Sequence, residues 1–228
     1  MQTIQQNRYT LRALARLLAY PNASLRADLA YLAAAIEEEG ALPAARRAEL
    51  NALVHELLRM DAIDAESRYV ETFDRGRATS LQLFEHVHGD SRDRGPAMID
   101  LAQTYDKAGL HMAPDELPDH LGVVLEFAST QPADIAADFI GELAHIVSAV
   151  FSALLKRESP YASVLAAVLE LAGQTAQPVP FAADEPIDDS WQEPEPFDGC
   201  SSRGQSRPGE AQPIHIVRKQ QANPGANA

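Results

Sequence analysis

The side chains best equipped for chemistry crowd into one stretch, residues 69–100, YVETFDRGRATSLQLFEHVHGDSRDRGPAMID. It sets Arg75, Arg77, Arg92 and Arg94 among Glu71, Asp74, Glu85, Asp90, Asp93 and Asp100, with His86 and His88 between them. Gly76, Gly89 and Gly95 interrupt what would otherwise be helix. Guanidinium groups in such company do one of two things. They fork onto carboxylates and orphan helix-end carbonyls and so brace irregular backbone, or they line a groove for a peptide or an anionic cofactor. With this many acids alongside, bracing is the favoured role. His86 and His88 stand two apart, on nearly opposite sides of a helix, which is poor spacing for a shared metal. His88, near a helix C-terminus, gains from the negative end of the dipole.

Other catalytic patterns fail on their residues. Gly76-Arg77-Ala78-Thr79-Ser80 has a glycine and a hydroxyl but not the lysine of a phosphate loop. No Gly-x-Ser-x-Gly elbow occurs, the lone thiol is Cys200, and His55-Glu56 lacks a second His at zinc-protease spacing. Paired carboxylates are everywhere in so acidic a chain and single out nothing. The residues point to a binding protein rather than an enzyme.

The elements that would hold this stretch are helices. Leu11, Leu14, Ala15 and Leu18 recur at helical spacing until Pro21. Ser24 offers an N-cap for a helix burying Leu25, Leu29, Leu32 and Ile36, with Gly40 suited to its C-cap. Pro43 suits the start of a third helix with a stripe of Leu50, Leu53, Val54, Leu57 and Leu58, and Asp61 caps a fourth that carries Ile63, Tyr69 and Phe73. Thr79 or Ser80 caps a short helix expected to bury Leu81, Phe84 and Val87 and ending at Gly89, and Pro96 opens another with Met98, Ile99, Ala102 and Tyr105 on one side. Pro118 opens the next. Residues 132–156 are apolar on more than one face, as at the centre of a bundle, and a last helix runs over residues 160–173. The expectation is an all-α, single-domain bundle of about nine helices over residues 1–173.

From residue 174 the composition changes. Eight of the fifteen prolines fall there, and residues 184–198 hold seven acids and no base, so residues 174–228 read as a mostly disordered tail. Trp191 and Phe197 are the aromatics within it that could dock on a surface.

A formal charge of −14 over 228 residues argues against nucleic acid or anionic lipid as partners, because both demand cations. A single cysteine fits a reducing compartment, and no apolar run is long enough to span a bilayer, so a cytoplasmic chain without direct membrane insertion is expected. Oligomeric state is left open, and a homodimer formed by helix exchange is compatible with this architecture.

Two segments carry a resemblance. Phe73-Asp74-Arg75-Gly76-Arg77-Ala78-Thr79-Ser80-Leu81 and then Leu83-Phe84-Glu85-His86-Val87-His88-Gly89-Asp90-Ser91-Arg92-Asp93-Arg94-Gly95 resemble the delta-chain assembly chaperones of respiratory nitrate reductase, the NarJ type. Glu116-Leu117-Pro118-Asp119-His120-Leu121 and Leu125-Glu126-Phe127 look like a second segment of that family, whose wider group is the TorD/DmsD-like redox-enzyme maturation chaperones. Asp188-Asp189-Ser190-Trp191 is similar to the family's late acidic segment, so the resemblance covers roughly residues 10–200. It implies a cytoplasmic chaperone that binds the N-terminal segment of the apo alpha subunit within an alpha–beta complex. It further implies delayed membrane anchoring and help with insertion of the client's bis-molybdopterin guanine dinucleotide, with no cofactor held permanently.

On that footing the expected mode is helix-in-groove. A client helix would lie against Tyr69, Phe73, Phe84 and Tyr105, with Asp74, Glu85 and Asp119 meeting its basic residues and Arg75 and Arg77 at the rim. His86, His88 and His120 would tune affinity with pH. The competing expectation is a helical adaptor or regulatory protein unconnected to cofactor insertion.

Overall fold

The computed structural model describes residues 7–89, 91–113 and 116–181. All of them lie in the first of the two units into which the chain divides, Met1–Asp184. They form ten α-helices and one 3-10 turn: α1 (Arg8–Leu17), α2 (Ala23–Glu39), α3 (Ala44–Arg59), α4 (Ala62–Phe73), the turn (Arg77–Thr79), α5 (Leu83–His88), α6 (Arg94–Lys107), α7 (Leu121–Ala128), α8 (Ala133–Glu142), α9 (Ala144–Lys156) and α10 (Ala162–Leu171). No strand occurs among the described residues. The only ladder-like contact among them is an isolated antiparallel bridge, Gln82 to His120.

The all-α expectation holds, with differences at the helix ends. Asn22, not Ser24, caps α2, its side-chain oxygen accepting the Leu25 N–H at 3.0 Å. Gly40 terminates that helix at φ 63°, in the left-handed region where a side chain is disfavoured. The 132–156 stretch is two helices bent by 68° at Leu143. Its all-round apolar pattern arises because α8 and α9 bury different faces. The bundle's centre falls instead to α10, in which residues 162–169 are all buried.

The core is continuous. Leu11, Leu14, Leu17 and Leu18 of α1 meet Leu25 and Leu29 of α2, Val124 and Leu125 of α7, and Val164, Leu165 and Val168 of α10, all fully buried. Each such side chain contributes about 1.5–3 kcal/mol by leaving water, so α1 is the keystone between α2 and α7. Its N-terminus is closed by Glu39 from the end of α2, whose carboxylate accepts the N–H groups of Tyr9 (3.0 Å) and Thr10 (2.6 Å). At the other end of the unit, Ala176 packs on the core, Val179 donates its N–H to Ser152 Oγ (2.8 Å), and Phe181 lies 5.8 Å from the Lys156 ammonium. Within the expected tail, residues 174–181 therefore run against α9. Trp191, Phe197, Cys200 and the remaining tail readings lie outside the described residues.

Candidate functional site

The signature stretch and the second segment are stitched together by backbone. Leu83 donates its N–H to the Asp119 carbonyl (3.0 Å) and Leu121 donates to the Leu81 carbonyl (2.9 Å). Residues 118–120 are used in this seam rather than in helix, so α7 starts at Leu121 and not at Pro118. For the same reason α5 begins only at Leu83, and Thr79 turns its hydroxyl to the Thr72 carbonyl instead of capping.

Side chains lock the seam. Asp119 is fully buried; its Oδ2 accepts the Phe84 N–H at 3.0 Å and lies 3.8 Å from the Arg94 guanidinium. Burial pushes its carboxyl above the usual carboxylate range, with Phe84 and Arg94 opposing. Arg94 also reaches Glu85 at 3.3 Å, and Ser80 Oγ lies 2.7 Å from both Gln82 Oε1 and Glu85 Oε2. His86 Nε2 sits 2.9 Å from the Ser80 carbonyl, which can only accept, so this nitrogen carries the proton. Arg77 donates to the Glu85 carbonyl at 3.0 Å. Gly89, at φ 52°, lies so close to that guanidinium that a Cβ would collide with it. Bracing is what Arg77 and Arg94 do.

The aromatic candidates are interior. Tyr69 donates its hydroxyl to the Leu18 carbonyl at 2.7 Å, and its ring packs on Phe73 and Tyr161 with centroids 4.9 and 6.2 Å away. Tyr105 donates to the Pro118 carbonyl at 2.8 Å and stacks on Phe127 at 4.8 Å. Burial raises the phenols of Tyr69 and Tyr105, and that of Tyr161 is pushed up to about 12. Tyr69, Phe73 and Tyr105 are thus interior, with their apolar and hydroxyl demands met inside the fold, whereas Asp119, buried with them, leaves its Oδ1 without a hydrogen-bond partner among the described residues. Phe84, Glu85, His86 and His88 are half-buried, with Phe84 edge-on to His88 at 5.7 Å. Asp74, Arg75 and Arg77 are exposed, and with Phe73 and Glu85 they border a polar cavity of about 500 Å³. Tyr105 is the only residue of α6 fully buried, and Ile99 of the same helix is 60% exposed.

Space for a larger ligand lies elsewhere. A groove of about 640 Å³ opens between α1, α2, α7 and residues 110–116, walled by Ala13, Leu32, Ala35, Met112, Val123 and Phe127. A second depression of about 390 Å³ is lined by Ala19, Tyr20, Leu117, His120, Val123 and Glu126. Glu116, Val123 and Glu126 line both, so the two adjoin, and Gln82 lies on both the second and the polar cavity. Of the expected residues, Tyr105 lines the larger depression and Tyr69 and His120 the smaller, the two tyrosines almost wholly buried and His120 half-buried. His120 Nδ1 accepts the Gly122 N–H at 3.1 Å and so caps α7, and burial lowers the ring's pKa below 6.5, the neighbouring Asp119, Glu116 and Asp74 opposing. Most of the groove, from α1, α2 and residues 110–112, comes from segments without a motif of their own. The available signal was Glu126, inside the Leu125-Glu126-Phe127 triplet.

Comparison with known proteins places the chain. Residues 39–167 fit the model of a family described as nitrate reductase delta subunit. The chain belongs to that delta-subunit family. It is similar to the nitrate reductase molybdenum cofactor assembly chaperone NarJ of Escherichia coli (strain K12), 42% identical over 180 residues that span 78% of this chain and 76% of that one. It is also 32% identical to the probable chaperone of the same name from Bacillus subtilis (strain 168), over 70% of this chain and 86% of that one. A crystal structure of a putative redox enzyme maturation protein from Archaeoglobus fulgidus shares the fold, with a TM-score of 0.51 over 73% of this chain and 94% of that one at 22% identity. The delta-subunit relatives are named as assembly chaperones and not as catalysts, in keeping with the absence of a catalytic pattern in the sequence. No single helix among the described residues is long and apolar enough to cross a membrane.

Proposed function

We propose that this chain is a maturation chaperone for membrane-bound nitrate reductase, with the groove along α1 and α7 as its client site. It takes up the N-terminal segment of the apo alpha subunit as an amphipathic helix and holds the immature alpha–beta complex back from the membrane. During that time the client's bis-molybdopterin guanine dinucleotide is inserted, and the chaperone then leaves. Asp74, Arg75 and Arg77, on the polar cavity that adjoins the groove, are proposed to meet the client where it extends beyond the helix. The work is done in the cytoplasm, where apo enzyme and cofactor meet.

The observation that carries this reading is the groove itself in a delta-subunit family member. About 640 Å³ of mostly apolar space suits one face of a helix, and the carboxylates on its floor suit a basic segment. The test is calorimetric titration of a synthetic alpha-subunit N-terminal segment into the chain, paired with deletion of the gene and assay of molybdenum cofactor in membrane-bound nitrate reductase. Saturable binding and cofactor-poor enzyme are expected. A segment that does not bind, or a deletion strain with fully loaded enzyme, would overturn the proposal.

A further inference from the structure

The waist of the groove, where its two depressions meet, carries two glutamates that form no ion pair among the described residues. The Glu126 carboxylate has neither hydrogen bond nor ion pair among the described residues, and the Glu116 carboxylate has only the Ala113 N–H at 3.2 Å. Arg12 and Arg16 also line the larger depression and act on Glu126 from a distance, but neither makes an ion pair with it, and each donates to another side chain. Arg12 donates to Ser129 Oγ at 3.2 Å, and Arg16 reaches Ser24 Oγ at 3.0 Å and Asp28 at 3.4 Å. Of the other carboxylates suggested by the sequence, Asp119 is internal, Glu85 is paired with Arg94, and Asp74 is exposed on the polar cavity rather than at this waist. Burial, then the Glu116 charge, push the Glu126 carboxyl up against the weaker pull of Arg12 and Arg16, the direction expected of an acid lacking a close cation. Apolar walls stand on either side of this waist, Leu32 and Phe127 in one depression, Ala19 and Leu117 in the other.

We propose that the groove selects a helical peptide with one Lys or Arg in the middle of its apolar face, seated between Glu116 and Glu126 while apolar residues one helical turn to either side fill the two depressions. This rests on the reading of the groove as the client site and adds to it what the client must look like. Residues three or four apart on a helix share a face, so apolar–cation–apolar at that spacing sets three side chains in a row along the groove. An ordinary amphipathic helix keeps its cations on the far face, where they would meet solvent and not this pair. The two carboxylates come from different elements, α7 and the segment before it, so one cation between them also ties those elements together.

The test uses the full chain and a set of synthetic helical peptides that differ only at the central apolar-face position, which is Lys, Gln or Glu. The alpha-subunit N-terminal segment serves as reference. Calorimetry is run on wild type, Glu126→Gln and Glu116→Gln, both neutral isosteres at exposed positions whose folding is checked by circular dichroism. The Lys peptide is expected to bind wild type about tenfold tighter than the Gln peptide, with the Glu peptide weaker again, and Glu126→Gln should abolish the discrimination. Equal affinity of the Lys and Gln peptides for wild type overturns the inference, as does discrimination that survives in both variants. If the alpha-subunit segment binds wild type and both variants alike, the inference falls and the groove reading stands. If that segment does not bind wild type, both fall.

Discussion

At the residue scale, polar side chains that resemble site residues in the sequence are mostly occupied in holding backbone. His120 is the clearest case because its two properties are linked. Its Nδ1 accepts the Gly122 N–H, which requires a neutral ring, and burial favours the neutral ring. The folded-state pKa lies below 6.5, so on acidification the unfolded chain takes up this proton first. The contribution of His120 to stability is therefore present above that value and is lost as the pH falls through the lower folded one. Urea denaturation at pH 7.5 and 5.5 should show wild type losing stability relative to His120→Asn, which caps without titrating. His120→Ala should cost about 1 kcal/mol at the higher pH, the usual worth of a cap. A His120→Asn variant with the same pH profile as wild type would show that the ring nitrogen is not the cap.

At the element scale, the sequence displays helices well and their junctions poorly. Periodicity located the helices, with α8 and α9 read as one over residues 132–156, because each buries a stripe whose spacing is local to the chain. What escaped it is set by partners distant in sequence. α7 begins three residues after Pro118 because residues 119 and 121 are paired with 83 and 81, and the break at Leu143 is hidden by two apolar faces running on without a gap. The same limit applies to the site. Tyr69, Phe73 and Tyr105 look like a recognition cluster in sequence and are almost wholly buried in space, Tyr69 and Tyr105 reaching the groove only at its lining, whereas most of it is assembled from α1, α2, α7 and residues 110–116. Ala35, partly exposed on the α2 wall, offers a direct check. Ala35→Trp should fill the groove and weaken binding of the alpha-subunit segment at least tenfold, while changing stability by no more than about 0.5 kcal/mol, as for most surface substitutions. Unchanged affinity with tryptophan in place would move the client site away from this groove.

At the scale of the whole molecule, charge and groove act at different stages of binding. A net charge of −14 attracts a basic segment from beyond contact distance, and salt screens that attraction over about 10 Å. Apolar contacts in the groove are insensitive to such screening and set how long the complex lasts. Stopped-flow association of the alpha-subunit segment should therefore slow by about tenfold between ~20 and ~200 mM salt, with the dissociation rate changing far less. The residues after Phe181 carry eight acids and four bases, so most of the net charge resides in the helical unit. A chain ending at Phe181 retains the core helices, their caps and both depressions, and should keep most of the association rate and its salt dependence. A truncated chain whose association has become slow and salt-independent would instead assign the steering to the acidic residues 184–198, and the groove would then be only where the client comes to rest.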